Sequence, residues 1–462
     1  MSSYLSGTSP RAMRRRWLVL LVALCAGAAA CSDDPTEPDR GPNAGPAASI
    51  RLPTDSLSLY PAESVRFVPV VLDSLGRELQ DPEIRWIVGD TGVVAIDSAG
   101  LLTARAHGST ELTVEAGDVR VIVPVRVTEF VQISGRFQDL CALDVEGRAW
   151  CRGRDRTRLL HPEFVHETFR AVPTSLRFST IAVGQSHVCG LSDGTAYCWG
   201  TGNHGQTGNY SNLPIDSVVG GHVFQSISAG GEHNCAIDSD GAAWCWGRDK
   251  GALGTGNDYV VQEEPVRVAG DHVWRTVEAG WDGTCGLPDG GVPHCWGDVN
   301  DALVPTPLPD IPQASVVSSY WLLACAAESA RVDCAVGELE GRDLALPRSV
   351  TLPAPVVDVE AAVSGFEWNY PAYVCALTEP GDVYCWGRNA RGFLGQGSMN
   401  PPDGPVRVLS NERFVEIVAG WYRACGLTPQ GALYCWGLDV FEYTHGIAQS
   451  SAVPLRIAPP RP

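Results

Sequence analysis

Fourteen cysteines in the second two thirds of the chain fall into seven close pairs, and none is left over: 141/151, 189/198, 235/245, 285/295, 325/334, 375/385 and 425/435. The first members of successive pairs recur at roughly the length of a small supersecondary unit, which is the mark of a repeat architecture. Each pair is also a hairpin in register. In Cys189-Gly-Leu-Ser-Asp193-Gly194-Thr-Ala-Tyr-Cys198 a two-residue Asp-Gly loop sets Ser192 against Thr195, and three steps back Cys189 faces Cys198. Five of the other pairs carry one extra residue, and in all five the third loop position is Gly: Gly147, Gly241, Gly291, Gly381 and Gly431. A three-residue hairpin needs its left-handed residue there, so the cysteines face each other again. Cys325/Cys334 departs from the pattern, with Ser329-Ala330 at its turn.

Facing cysteines on a non-hydrogen-bonded strand pair lie within disulfide range. The competing reading is metal binding, but zinc ligands come as close knuckles gathered in fours, whereas these are single pairs across turns. Disulfides are therefore expected within each hairpin: Cys141–Cys151, Cys189–Cys198, Cys235–Cys245, Cys285–Cys295, Cys325–Cys334, Cys375–Cys385 and Cys425–Cys435. On the opposite face, the Ala or Gly after each first cysteine meets Trp150, Tyr197, Trp244, His294, Asp333, Tyr384 or Tyr434. A ring can cover the small residue it faces.

Such bonds require an oxidising compartment, and the N-terminus supplies an address. Arg14-Arg15-Arg16 precede the apolar run Trp17 to Cys25, and small residues lead to Cys31. This is a signal-peptide pattern, too short to span a bilayer. Gly27-Ala28-Ala29-Ala30-Cys31 resembles the lipobox of bacterial lipoproteins, with Ala28 where Leu is usual. That resemblance implies cleavage after residue 30, lipidation of Cys31 as the one membrane attachment, and a place in the bacterial cell envelope, at the outer membrane or cell surface. Residues 31–47, rich in Asp, Pro, Gly and Ala, read as an extended tether. An ordinary secretory signal is the alternative.

Residues 48–128 alternate short apolar runs with turn signals, as expected for a sandwich of short strands. The order Ile84-Arg85-Trp86, Val94-Ala95-Ile96-Asp97, Gly100-Leu101-Leu102-Thr103-Ala104 and Gly108-Ser109-Thr110 resembles the bacterial Ig-like domain, group 2. The resemblance implies a stalk or adhesion spacer, with no chemistry of its own.

From residue 129 to 462 the unit around each pair runs strand, Ala-Gly, turn, cysteine hairpin, Cys-Trp-Gly and a Gly-rich loop. Phe178-Ser-Thr-Ile-Ala-Val-Gly184, His187-Val-Cys189, Tyr197-Cys198-Trp199-Gly200 and Gly205-Gln206-Thr207-Gly208 form one clear copy. Cys-Trp-Gly occurs five times, at Cys198, Cys245, Cys295, Cys385 and Cys435. The segment resembles the regulator of chromosome condensation repeat family, which implies a seven-bladed β-propeller. The expected fold class is thus all-β, a sandwich followed by a propeller with one disulfide per repeat. A ring must close, because an open one leaves raw edges. Pro265-Val266-Arg267-Val268 and Pro405-Val406-Arg407-Val408 recur between repeats and Pro454-Leu455-Arg456-Ile457 ends the chain, so this last strand is expected to pair with the blade begun by Phe130 to Ile133.

Charge narrows the function. The formal net charge is −19 and Lys250 is the sole lysine, which argues against a nonspecific grip on nucleic acid and against P-loop or Schiff-base chemistry. Gly200, Gly202 and Gly205 match a dinucleotide-type GxGxxG without the βαβ context it needs. Asp238-Ser-Asp240-Gly241 lacks the rest of a calcium loop. His187 and His233 occupy a repeat position and read as structural. No catalytic residue, metal ligand or cofactor is assigned.

One asymmetry remains. Four residues before the first cysteine of each pair stand Phe137, Gln185, Gly231, Trp281, Trp321, Pro371 and Trp421, all on one face of a ring. Tyr320 and Tyr422 flank two of them, and Trp368 and Tyr370 lie in an insertion. Phe137, Trp281, Tyr320, Trp321, Trp368, Tyr370, Trp421 and Tyr422 are candidates for a contact surface; the alternative is that the rings plug the channel or cap the core. The expected function is non-catalytic binding or adhesion by one propeller face to a protein or glycan partner at the cell surface. The alternatives are a surface enzyme acting on polysaccharide and a guanine-nucleotide exchange role, the latter disfavoured by the export signal.

Overall fold

A computed structural model describes residues 45–461 apart from 137–138, 154–165, 210–214, 259, 337–345, 364–371, 422 and 439–449. The described part is built of strands. The N-terminal module has a four-stranded sheet ordered Leu57–Leu59, Val119–Val127, Gly108–Ala116 and Arg85–Val88, and a three-stranded sheet of Ser64–Arg66, Leu101–Ala104 and Val94–Ile96. Alternation along these strands buries Leu102 and Val94 from one sheet against Leu112, Val114, Val123 and Val125 from the other. Trp86 lies over this core, its ring 6.2 Å from Phe67 in an edge contact.

Seven four-stranded antiparallel sheets follow, each made of four strands consecutive in sequence and space. Their first strands are Phe130–Ser134, Thr180–Val183, Phe224–Ala229, Trp274–Ala279, Val316–Tyr320, Val356–Val363 and Glu416–Ala419. These first strands lie side by side in order, and the seventh touches the first, so they surround a central axis. Sheets wound this way expose few edges.

The second and third strands of every sheet are the cysteine hairpins. All seven predicted pairs are Cα partners across the hairpin, and all seven are disulfide-bonded. The register follows from the turns. Gly147 and Gly241 sit at φ 74° and 78°, in the left-handed region the third loop position demands. In the exceptional fifth hairpin Ser329 itself takes φ 54°, so Glu328 still pairs with Arg331.

The ring does not close as the sequence suggested. The last strand, Ser450–Arg456, pairs with Leu433–Leu438 of its own sheet, setting Arg456 opposite Tyr434. Val266–Arg267 and Val406–Arg407 do the same beside Cys245 and Cys385, so the repeated Pro-x-Arg segment is each sheet's own fourth strand. Closure is by packing: Phe130, Ile133 and Leu140 of the first sheet share one core with Leu427, Leu433 and Ile457 of the last.

Candidate functional site

The connection from first to second strand occupies the same end of every sheet. Its Ala-Gly signature reflects crowding at the axis: a Cβ on Gly230 would strike the Gly280 carbonyl, and one on Gly420 would strike that of Arg136. At this end Trp281 of the fourth sheet lies on Trp421 of the seventh, ring centroids 4.9 Å apart and planes 9° from parallel. Both are half-buried and pack, with Trp321, against the core shared by the fifth and sixth sheets. Trp321 holds φ 51°, a conformation that costs an L-residue about 1 kcal/mol or more and marks a position fixed by its surroundings. Tyr320 is 1% exposed and belongs to the core. Phe137, Trp368, Tyr370, Tyr422 and Cys31 lie outside the described residues.

Arg136 joins these elements. Its carbonyl accepts from the Trp421 N–H at 3.1 Å. Its guanidinium donates through Nη1 to the Ala279 carbonyl, stands 4.0 Å from Glu278 and lies over the Tyr320 ring at 5.7 Å. One arginine of the first sheet thus touches the fourth, fifth and seventh.

Further along the axis the first strands are tied by side chains that sequence reasoning did not single out. Ile181 N–H donates to Gln132 Oε1 at 3.0 Å and Val183 N–H to Ser134 Oγ at 2.9 Å. Ala279 N–H donates to Ser228 Oγ at 3.0 Å, Ala361 N–H to Ser318 Oγ at 3.1 Å, and Ile133 N–H to Glu416 Oε2 at 2.9 Å. Each polar side chain satisfies an amide of the next sheet that has no ladder partner on that side. Their signal in the sequence was a polar residue at alternate positions of several first strands, as in Phe224-Gln-Ser226-Ile-Ser228 and Val356-Val-Asp358-Val-Glu360.

Four of these positions are acidic. Enclosure pushes Asp358 up to about 7, with Glu278 adding repulsion and the Ile417 amide opposing it. Enclosure likewise lifts Glu416 to about 8. It drives Glu360 well above the ordinary range, reinforced by Asp358 and relieved by Arg136. Glu278 is raised by the same enclosure and relieved by Arg136 and Ser228; its side chain keeps 37% exposure, so water reaches it. Mutual repulsion of carboxylates and loss of hydration both favour the protonated form.

His187 and His233 are buried and structural. His187 Nε2 bonds Asn234 Oδ1 at 2.8 Å and His233 Nε2 bonds Thr284 Oγ1 at 2.9 Å, each joining its sheet to the next. Burial pulls them down to about 4 and about 3. Asp238, weighed above as a calcium ligand, instead accepts the Asp240 and Ala242 amides and the Trp244 indole N–H. Among the described residues no three His, Cys, Asp or Glu side chains are grouped to hold a metal ion.

Models of the Regulator of chromosome condensation (RCC1) repeat match residues 224–250, 380–427 and 414–441, on the third, sixth and seventh sheets. No curated protein matches the chain. Among solved structures, yeast RCC1 (Prp20) bound to Kap60 is 17% identical with a TM-score of 0.55, over 71% of this chain and 85% of that one. Prp20p from Saccharomyces cerevisiae, solved with a study of its binding to Gsp1p and histones, is 17% identical with a TM-score of 0.56, over 71% of this chain and 87% of that one. The likeness is one of fold: the described chain carries a propeller of RCC1 type.

Proposed function

We propose that this chain is an exported binding protein, lipid-anchored at Cys31, in which a bacterial Ig-like module and a seven-bladed propeller present their tryptophan-bearing end to a protein partner. The observation that carries this reading is the grouping of Trp281, Trp321 and Trp421 on connections of three different sheets, with two of them stacked and the third held left-handed. Large rigid rings gathered at one end of a scaffold supply contact area at low entropic cost. A protein partner is favoured over a glycan because yeast RCC1 (Prp20), which shares the fold, is found bound to the protein Kap60. An exchange-factor role would need a partner inside the cell, which the signal-like N-terminus disfavours.

The test is capture from surface extracts by the mature protein and by Trp281→Ala, Trp321→Ala and Trp421→Ala together. Loss of capture by a variant that still unfolds in one cooperative transition, at a melting temperature lowered only by the lost packing, supports the reading. Capture by the triple variant overturns it, and loss of folding assigns the rings to a channel plug.

The polysaccharide-enzyme reading has one observation in its favour, the carboxyl cluster of Glu278, Asp358, Glu360 and Glu416. Asp358 and Glu416 are engaged with backbone amides of neighbouring sheets, which makes them mortar between sheets rather than free acid and base. Turnover of a polysaccharide abolished by Glu360→Gln would revive it.

A further inference from the structure

The sheets that must meet to close the ring are the first and the seventh, and no strand is shared between them. Their contacts include the Phe130 amide on the Gly431 carbonyl, the Ile133 amide on Glu416, and a common apolar core. Bringing these two sheets together closes the longest loop in the propeller, and loop closure is an entropic cost that local contacts must offset. The N-terminal module lies on this seam. Tyr60, at the end of its strand Leu57–Leu59, is fully buried in the core that holds Phe130, Ile133 and Leu140 of the first sheet and Leu433 and Ile457 of the last.

The contact is specific as well as apolar. The Tyr60 ring meets the edge of Phe130 at 6.0 Å, and its other neighbour is the Arg456 guanidinium, 5.0 Å from the ring centre. Glu63, three residues on, accepts the Tyr60 amide at 2.8 Å and pairs with Arg456. One turn of the module therefore grips a residue from each side of the seam. A second contact holds the first sheet: His107 Nδ1 accepts the Glu129 amide at 3.1 Å, and Arg126 lies 5.3 Å over the Trp150 ring.

We infer that the N-terminal module is a clasp: through Tyr60 and Glu63 it fastens the first and seventh sheets to each other, so that the closed ring depends on it. The module is then part of the propeller's closure, not a stalk that swings free of it. A half-buried ion pair that also faces a ring exceeds the small contribution of an exposed one, and a ring opens first where its fastening is weakest.

The experiment is amide hydrogen exchange on the full chain carrying Glu63→Gln, and separately Tyr60→Leu, which keeps an apolar side chain in the core. The clasp requires exchange in Phe130–Ser134 and Glu416–Ala419 to accelerate at least about tenfold while Phe224–Ala229 and Trp274–Ala279 keep their rates. A double variant Glu63→Gln with Arg456→Gln should be no faster at the seam than the more severe single one, since the two residues act as a unit. Unchanged seam rates in both single variants, acceleration confined to the module, or acceleration spread evenly over all seven sheets would each overturn the clasp.

Discussion

The indole of Trp281 lies flat on that of Trp421, 4.9 Å between centroids and 9° between planes, although the two belong to the fourth and seventh sheets. Neither local turn could bring them together; the stack exists only when the ring is closed. It should therefore report closure spectroscopically. Two indoles at this distance couple, so the native far-ultraviolet circular dichroism should show an exciton couplet that Trp421→Phe removes and that vanishes on unfolding. Loss of one member should lower stability by about 0.5–1.5 kcal/mol, the range for a stacked aromatic pair. A couplet that survives Trp421→Phe would mean that the stack does not form in solution.

Thiol titration of the unfolded, unreduced protein should find none of the fourteen paired cysteines free. The fifth bond, Cys325–Cys334, spans the shortest type of loop, with sequence separation 9. Replacing both of its cysteines by Ala should lower stability by about 2 to 3 kcal/mol, the entropy of a freed loop of that size. No change in the urea midpoint would show that the hairpin turn alone holds the register.

The repeat was legible because its determinants are local. The spacing of Cys189 and Cys198 about Asp193-Gly194, or of Cys235 and Cys245 about Gly241, sets both turn type and register, and outside the fifth hairpin, where Ala326 faces Asp333, each Ala or Gly duly meets its ring, as Ala142 meets Trp150 and Gly190 meets Tyr197. What crosses between sheets was not legible. The links Gln132 to Ile181, Ser228 to Ala279 and Glu416 to Ile133 join residues 49, 51 and 283 positions apart, and no turn rule relates them. The same limit misdirected the reading of Pro454-Leu455-Arg456-Ile457: its likeness to Pro265-Val266-Arg267-Val268 already placed it as a fourth strand of its own sheet. The demand for a closed ring was met instead by side-chain packing at the seam. Tyr60 and Glu63, in a module read as a spacer, carried no repeat signal at all.

The axial acids and the buried histidines give stability opposite slopes with pH. Glu416, raised from 4.5 to about 8, and Asp358, raised from 3.8 to about 7, hold protons in the folded state that the unfolded chain releases. Their stabilisation is complete below their unfolded values and is lost as pH rises through about 7 to 8. His187 and His233, lowered from 6.5 to about 4 and about 3, act the other way: their contribution is present above 6.5 and is lost as pH falls toward those values. Above about pH 7 the unfolded histidines are largely neutral and the acids govern the slope, so the melting temperature should fall between about pH 7 and 8.5. Glu416→Gln, whose amide oxygen can still accept the Ile133 N–H, should flatten that fall. A melting temperature that rises over this interval would exclude protonated acids at the axis.

Removing residues 452–462 tests closure from the other side. The deletion takes away most of the fourth strand of the last sheet, which pairs Leu455 with Cys435 and Arg456 with Tyr434, and with it Ile457, 1% exposed in the seam core. Loss of a buried Ile alone costs about 2–5 kcal/mol, and the ladder bonds and the Arg456 contact with Glu63 go too. The melting temperature should therefore drop sharply. If the strand served its own sheet alone, the amides of Leu433–Leu438 would lose protection and those of Phe130–Ser134 would keep it. Because Tyr60, Phe130 and Ile457 share one core, both should lose it together. A protected first strand in the truncated chain would place the ring's fastening elsewhere.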